Sequence, residues 1–124
     1  MIAADTSSFI AYLQGEKGND VEKIEQALTF HALVLPPVVL SELLSDFNLT
    51  NEVIEVISNL PILSIKDDYW KRAGLLRSKL IVDKLKARLA DTLIAQICID
   101  HNVPLITRDQ DFRHFSRYCG LCLV

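Results

Sequence analysis

The stretch Leu89–Phe112, LADTLIAQICIDHNVPLITRDQDF, constrains the fold more than any other part of the chain. Leu93, Ile94, Ile97 and His101 recur at helical spacing, which predicts a helix with one buried face beginning near Asp91. Asn102 and Pro104 predict its end. Pro104 to Thr107 is short, apolar and partly β-branched, the composition of a buried parallel strand. Arg108, Asp109, Gln110 and Asp111 follow directly. In open α/β sheets the chemistry sits beyond the carboxyl ends of the strands. Acidic groups at both ends of one helix–strand unit therefore point to a metal site.

The same alternation runs through the rest of the chain. Ile2–Ala4, Leu33–Leu35, Pro61–Ile65 and Leu121–Val124 read as further short strands. Between them lie amphipathic runs such as Val21, Ile24, Ala27 and Leu28, and Tyr69, Ala73, Leu76 and Leu80. Asp20, and Asp67 or Asp68, are placed to cap two of these helices. The crossovers are long enough for parallel pairing. The expectation is an α/β fold of three layers, α/β/α, around a central, mostly parallel sheet of four to five strands, with residues 1–124 as one domain.

No apolar run approaches the roughly 18 residues of a membrane span. The segment MIAADTSSF has neither the basic region nor the long apolar core of a signal peptide, so the expected location is cytoplasmic. Cys98, Cys119 and Cys122 are expected as free thiols of a reducing compartment. Cys119 and Cys122 match C-x-x-C, but in a strand they would point to opposite faces, and a zinc site needs two more ligands where only His114 is near in sequence.

A net charge of −3 does not by itself suggest a nucleic-acid binder, but its distribution leaves room for a local basic patch. Of thirteen Lys and Arg residues only Lys17 and Lys23 precede residue 66, and eight fall between Lys66 and Arg88. On charge alone, a solvated helix face is the more common explanation of such a run.

Asp5 and Asp109 follow apolar strands directly, while Glu42 and Asp91 are expected in the first turns of helices. In a parallel sheet these four positions share one edge. Singly, each has an ordinary explanation: Asp5 as a helix cap, Glu42 as a solvent-facing helix residue. Four together are harder to explain, because two carboxylates about 5 Å apart repel by roughly 3 kcal/mol at an effective dielectric near 20. A divalent cation removes that cost. An all-oxygen donor set favours Mg²⁺ or Mn²⁺ over zinc. A metal-activated water needs no histidine base, and the implied reaction is phosphodiester hydrolysis.

With these motifs in place, the chain resembles the PIN-domain nucleases, and most closely the toxin ribonucleases of VapBC toxin–antitoxin pairs. The resemblance spans the whole chain. It rests on Asp5-Thr6-Ser7 after a strand, PPVVLSEL (Pro36 to Leu43) with Glu42, ADTLIA (Ala90 to Ala95) with Asp91, and LITRDQDF (Leu105 to Phe112) with Asp109. It implies that Asp5, Asp91 and Asp109 hold Mg²⁺ or Mn²⁺, with Glu42 completing the site, and that the substrate is RNA. Ser7 and Thr107 match supporting hydrogen-bonding positions. Asp111 matches a second, less consistent acid, and Arg108 carries no implied catalytic role. A cognate antitoxin protein and a homodimer are also implied. Ile81 to Arg88 departs from the pattern: it is basic and lacks the glycine of many relatives. Lys71, Arg72, Lys84, Lys86 and Arg88 are the candidate RNA contacts. Two other readings share these residues. One is a non-catalytic PIN-like module that binds RNA or protein. The other, a phosphoacceptor domain of the receiver type, lacks the required Lys after its last strand.

Overall fold

The computed structural model describes residues 1–124. Its elements run β1 (Ile2–Ala4), α1 (Thr6–Leu13), α2 (Asn19–Thr29), β2 (Leu33–Val34), α3 (Pro37–Leu44), α4 (Asn51–Ser58), α5 (Tyr69–Val82), α6 (Leu89–His101), β3 (Leu105–Ile106), a 3₁₀ turn (Gln110–Phe112) and α7 (Arg113–Cys119). The sheet order is β2-β1-β3, all parallel. Ala3 pairs with both Val34 and Leu105, so β1 is the central strand.

Successive strand residues point to opposite faces. Ala3 and Ala4 are both fully buried, as are Leu105 and Ile106, so helices must cover both faces of the sheet. This is the expected three-layer arrangement. The sheet itself is narrower than predicted, with three strands instead of four to five. Pro61–Ile65 and Leu121–Val124 do flank it, but each contributes one isolated bridge, Leu35 to Ile62 and Leu105 to Leu123. Leu35 is gripped by two bonds, its N–H to Pro61 O and its C=O from Leu63 N–H. Pro61 has no N–H to extend that ladder, and Ile62 and Ile65 are exposed at the edge.

The connection from β1 runs through α1 and α2 to β2 on one side, and β3 lies on the other side. The carboxyl ends of β1 and β3 thus flank a topological switch point, where a crevice opens. Local sequence fixes what enters it. Asp5 takes an extended conformation and accepts the Ser8 N–H as the N-cap of α1. Pro37 opens α3 at a position where a missing N–H costs nothing. Asn102 ends α6 in the left-handed conformation, as its sequence predicted.

Two expected caps are not made. Asp68 stands at the start of α5 in the left-handed region, but its side chain makes no capping bond. Gly18 precedes α2, and Asp20, inside the first turn, pairs with Arg108 instead. Glu42 is also displaced from its expected position: it lies in the second turn of α3, not the first.

Candidate metal centre

Asp5 is buried, with 3% of its surface exposed. Ser7 Oγ donates to both of its oxygens at 3.0 and 2.9 Å, Ser8 N–H donates at 3.0 Å, and Thr107 Oγ1 donates at 2.6 Å. Burial still pushes its carboxyl above the ordinary range, and the charge of Asp109 pushes in the same direction. Asp5 is therefore the helix cap and also a wall of the acidic cleft, so its capping bond does not keep it out of the cluster of acids. Ser7 and Thr107, expected as supporting residues, are two of its donors.

Thr107 does a second job. Its hydroxyl accepts the Asp109 N–H at 3.0 Å. Asp109 Oδ1 in turn accepts the Asp111 N–H at 2.9 Å, capping the 3₁₀ turn. The acidic tip is thus folded back on itself. Asp91 approaches from the first turn of α6. Asp91, Asp109 and Asp111 each offer a carboxylate oxygen, and these oxygens lie within 4.8 Å of one another. Asp111 therefore belongs to the cluster itself, which the sequence ranked below Asp109.

A cleft of about 280 Å³ is lined by Asp5, Glu42, Asp91 and Asp109, with Thr6, Ser7 and Arg88 among its walls. The four acids expected on one sheet edge do face one cavity. Glu42 is exposed at its rim, and Thr6 Oγ1 donates to Glu42 Oε1 at 2.6 Å. The carboxyl of Asp91 is pushed up to about 6, first by burial and then by the charges of Asp109 and Asp111. Asp111 is held below the ordinary range, chiefly by Lys86, whose Nζ lies 2.9 Å from Asp111 Oδ2.

These observations test the fit of a hard divalent cation. The donors are all carboxylate oxygens, the set that Mg²⁺ and Mn²⁺ prefer. Asp91 carries the mutual repulsion that a cation would relieve. Every buried side-chain nitrogen and oxygen already has a hydrogen-bond partner, so the first-strand acid is rigidly placed.

The expected RNA contacts divide. Arg88 lines the cleft and Lys86 reaches Asp111. Lys84 is exposed on the connecting loop in the left-handed region. Arg72 and Lys71 are not brought to the cleft. Arg72 grips the Asp100 carboxylate, with Nη2 to Oδ2 at 2.8 Å, and also donates to the Asp67 carbonyl. Asp100 lies nine helical residues from Asp91, about 14 Å at 1.5 Å per residue. Lys71, adjacent to Arg72, shares that far end of α5.

One cluster had no signal in the sequence. Arg108 Nε and Nη2 bind Asp20 Oδ2 and Oδ1 at 2.7 and 3.1 Å, and Ser8 Oγ donates to the same Asp20 at 2.8 Å. Arg108 holds the Asp20 carboxyl down to about 2. This clamp ties the tip of β3 to α2 behind Asp5. Its partners are 88 residues apart, a pairing that no local pattern reveals.

The sequence model of the PIN domain family matches residues 2–118. The chain is 26% identical over 128 residues to Ribonuclease VapC11 of Mycobacterium tuberculosis, covering 98% of this chain and 96% of that relative. Among solved structures, it is similar to VapBC-1 from nontypeable Haemophilus influenzae, with a TM-score of 0.75, 21% identity, and coverage of 100% of this chain and 97% of that one. It is also similar to VapBC2 from Rickettsia felis bound to a promoter DNA fragment, with a TM-score of 0.73, 22% identity, and coverage of 100% and 98%.

Proposed function

Because this chain belongs to the PIN domain family, we propose that it is a Mg²⁺- or Mn²⁺-dependent endoribonuclease and the toxin of a toxin–antitoxin pair. The observation that carries the reading is the approach of Asp91, Asp109 and Asp111 to within 4.8 Å beside a cleft also lined by Asp5 and Glu42. The ribonuclease name of the similar VapC11 supports the substrate, and the VapBC structures support an antitoxin partner.

In this reading Asp91, Asp109 and Asp111 would hold the cation, and Asp5, fixed by Ser7, Ser8 and Thr107, completes the acidic floor. A bound Mg²⁺ would supply a lowered water pKa and charge neutralisation at the phosphate. Glu42 accepts one hydrogen bond from Thr6 through Oε1, leaving Oε2 at the rim to orient a water and take its proton. Arg88, on the cleft wall, meets the scissile phosphate. Homodimerisation belongs to the same proposal. No helix is long and apolar enough to cross a membrane.

The test is cleavage of single-stranded RNA by the purified chain with Mg²⁺ or Mn²⁺. Activity should vanish in EDTA and in Asp91→Asn, with an unchanged circular dichroism spectrum. Full activity in Asp91→Asn overturns the site. RNA binding without Mn²⁺ binding or cleavage would instead support a non-catalytic module.

A further inference from the structure

The charge distribution around the cleft is incomplete for a nucleic-acid substrate. An RNA strand carries a negative charge at every phosphate, and affinity comes largely from cations that neutralise them. The cleft is lined by four acids and one base, Arg88. Lys86 is bound to Asp111, Arg72 to Asp100, and Arg77 Nε donates to the Ala87 carbonyl at 2.7 Å. Arg72, Arg77 and Lys86 of the basic run are therefore committed to the fold, and Lys71 lies at the far end of α5.

Helix α7 carries what α5 does not. Arg113, His114 and Arg117 stand at i, i+1 and i+4 and share one face, while Phe112 and Phe115 bury the other against the core. With Ser116 and Leu123 these three bases line a hollow of about 450 Å³ that contains no acidic side chain. None of the three takes part in an ion pair. Arg113 Nε donates to the Gln110 carbonyl at 3.2 Å, which leaves its terminal nitrogens uncommitted. The Arg117 guanidinium lies 5.4 Å from the centre of the Tyr118 ring, and Tyr118 is 47% exposed. Unpaired arginines beside an exposed aromatic ring suit a backbone phosphate and a stacked base. The α7 face follows directly on the acidic tip in the chain: Arg113 is two residues past Asp111, at the point where the 3₁₀ turn passes into α7.

Resting on the ribonuclease reading above, we propose that the Arg113–His114–Arg117 face of α7 is a phosphate-binding track for single-stranded RNA, continuing the substrate path from the cleft past Asp111. Specificity for the strand is thereby shared between the cleft, where Arg88 faces one phosphate, and α7, which holds phosphates on one side of it.

The experiment uses the full chain with Glu42→Gln, chosen to slow cleavage while leaving the three clustered carboxylates in place, in Mg²⁺. Binding of a labelled twelve-nucleotide single-stranded RNA is followed by fluorescence anisotropy across a salt series. Adding Arg113→Gln and Arg117→Gln should weaken binding about tenfold and make the log–log salt slope shallower by about 1.4, two contacts at about 0.7 each. Mn²⁺ binding and the circular dichroism spectrum should not change. Lys71→Gln, at the far end of α5, should leave affinity and slope as they were. Unchanged affinity and slope in the α7 variant overturn this inference alone. So does an equal loss in Lys71→Gln, which would mark a diffuse charge effect. If the parent binds no RNA at any salt concentration, the ribonuclease reading falls, and the track with it.

Discussion

Thr107 Oγ1 donates to Asp5 Oδ2 at 2.6 Å, joining two residues 102 positions apart in the chain. The same oxygen accepts the Asp109 N–H. One hydroxyl thus sets the distance between the acid after β1 and the acid after β3. Thr107→Val keeps the shape and removes both bonds. Hydrogen bonds to charged groups are worth about 1.5–3 kcal/mol, and Asp5 keeps two other donors. The expected loss is about 1–2 kcal/mol in urea unfolding, together with weaker Mn²⁺ binding by calorimetry. Thr107→Ser should retain most of both. A Val variant equal to the parent in both measurements would show that the hydroxyl does not organise the acids.

The raised carboxyl of Asp91 makes stability depend on pH in a stated direction. Its folded pKa of about 6 exceeds the ordinary 3.8. Between these values the folded state holds more protons than the unfolded one, so metal-free stability falls as pH rises from about 4 to about 6. Asp5, also raised by burial, adds to this. Asp20, Asp100 and Asp111 are lowered by Arg108, Arg72 and Lys86, and they withdraw stability only as pH falls below the ordinary carboxylate range. A two-unit shift would be worth nearly 3 kcal/mol; solvent screening at the partly exposed Asp91 reduces this to about 1 kcal/mol. Melting curves in EDTA should show this decline, and Asp91→Asn should flatten it. Mg²⁺ needs the ionised form, so its stabilising effect should grow over the same interval. A metal-free melting temperature that rises steadily from pH 4 to 7 would contradict the assignment.

What the sequence could reveal depended on the range of the interactions involved. Asp5 and Asp109 were legible because each directly follows an apolar strand, and parallel pairing sends those strand ends to one edge; Asp91 was legible as an acid in the first turn of the helix that leads into β3. The outer strands were over-read: Pro61–Ile65 and Leu121–Val124 have strand composition, but each touches the sheet through a single bridge. Asp20 looked like a cap because capping is local, whereas the pairing that claims it comes from Arg108 across the fold. The basic run Lys66–Arg88 was visible as composition. Which way each side chain turns depends on how α5 lies against α6, and Arg72 is taken by Asp100. Asp111 was placed below Asp109 because the strand ends nearer Asp109; the 3₁₀ turn brings it back into the cluster.

Lys86 is the counter-charge of the metal-free cluster, 2.9 Å from Asp111. A divalent cation binding there must overcome its repulsion. At about 5 Å in a water-like medium, a divalent and a monovalent cation repel by about 1.5 kcal/mol before salt screening. Lys86→Met should therefore tighten Mn²⁺ binding roughly threefold to tenfold. The exposed pair itself is worth about 0–1 kcal/mol, so the melting temperature of the metal-free variant should move little. Calorimetric titration checks the first expectation and thermal melting the second. Weaker Mn²⁺ binding in Lys86→Met would mean that the lysine orders Asp111 for the metal instead of competing with it.

Gly18 tests whether the Arg108–Asp20 clamp carries stability. Its φ of 152° is one that L side chains rarely adopt. A Cβ at this position would stand 2.6 Å from Asp20 Oδ1 and 3.3 Å from Arg108 Nη2. Both contacts are closer than ordinary packing allows, and the atoms affected are those of the clamp. Gly18→Ala should thus cost backbone strain and displace Asp20 from Arg108 and from Ser8, for a total of about 1–3 kcal/mol. Gly15 is an informative control, because its added Cβ would meet nothing within 4 Å. Gly15→Ala carries only the strain of its positive φ of 71°, about 1 kcal/mol. Urea denaturation of the two variants separates the terms. A larger loss at Gly18 than at Gly15 is expected, and Arg108→Met in the Gly18→Ala background should add less than it does alone, since the same pair is broken twice. Full additivity of the two changes would mean that the strained turn and the clamp act independently.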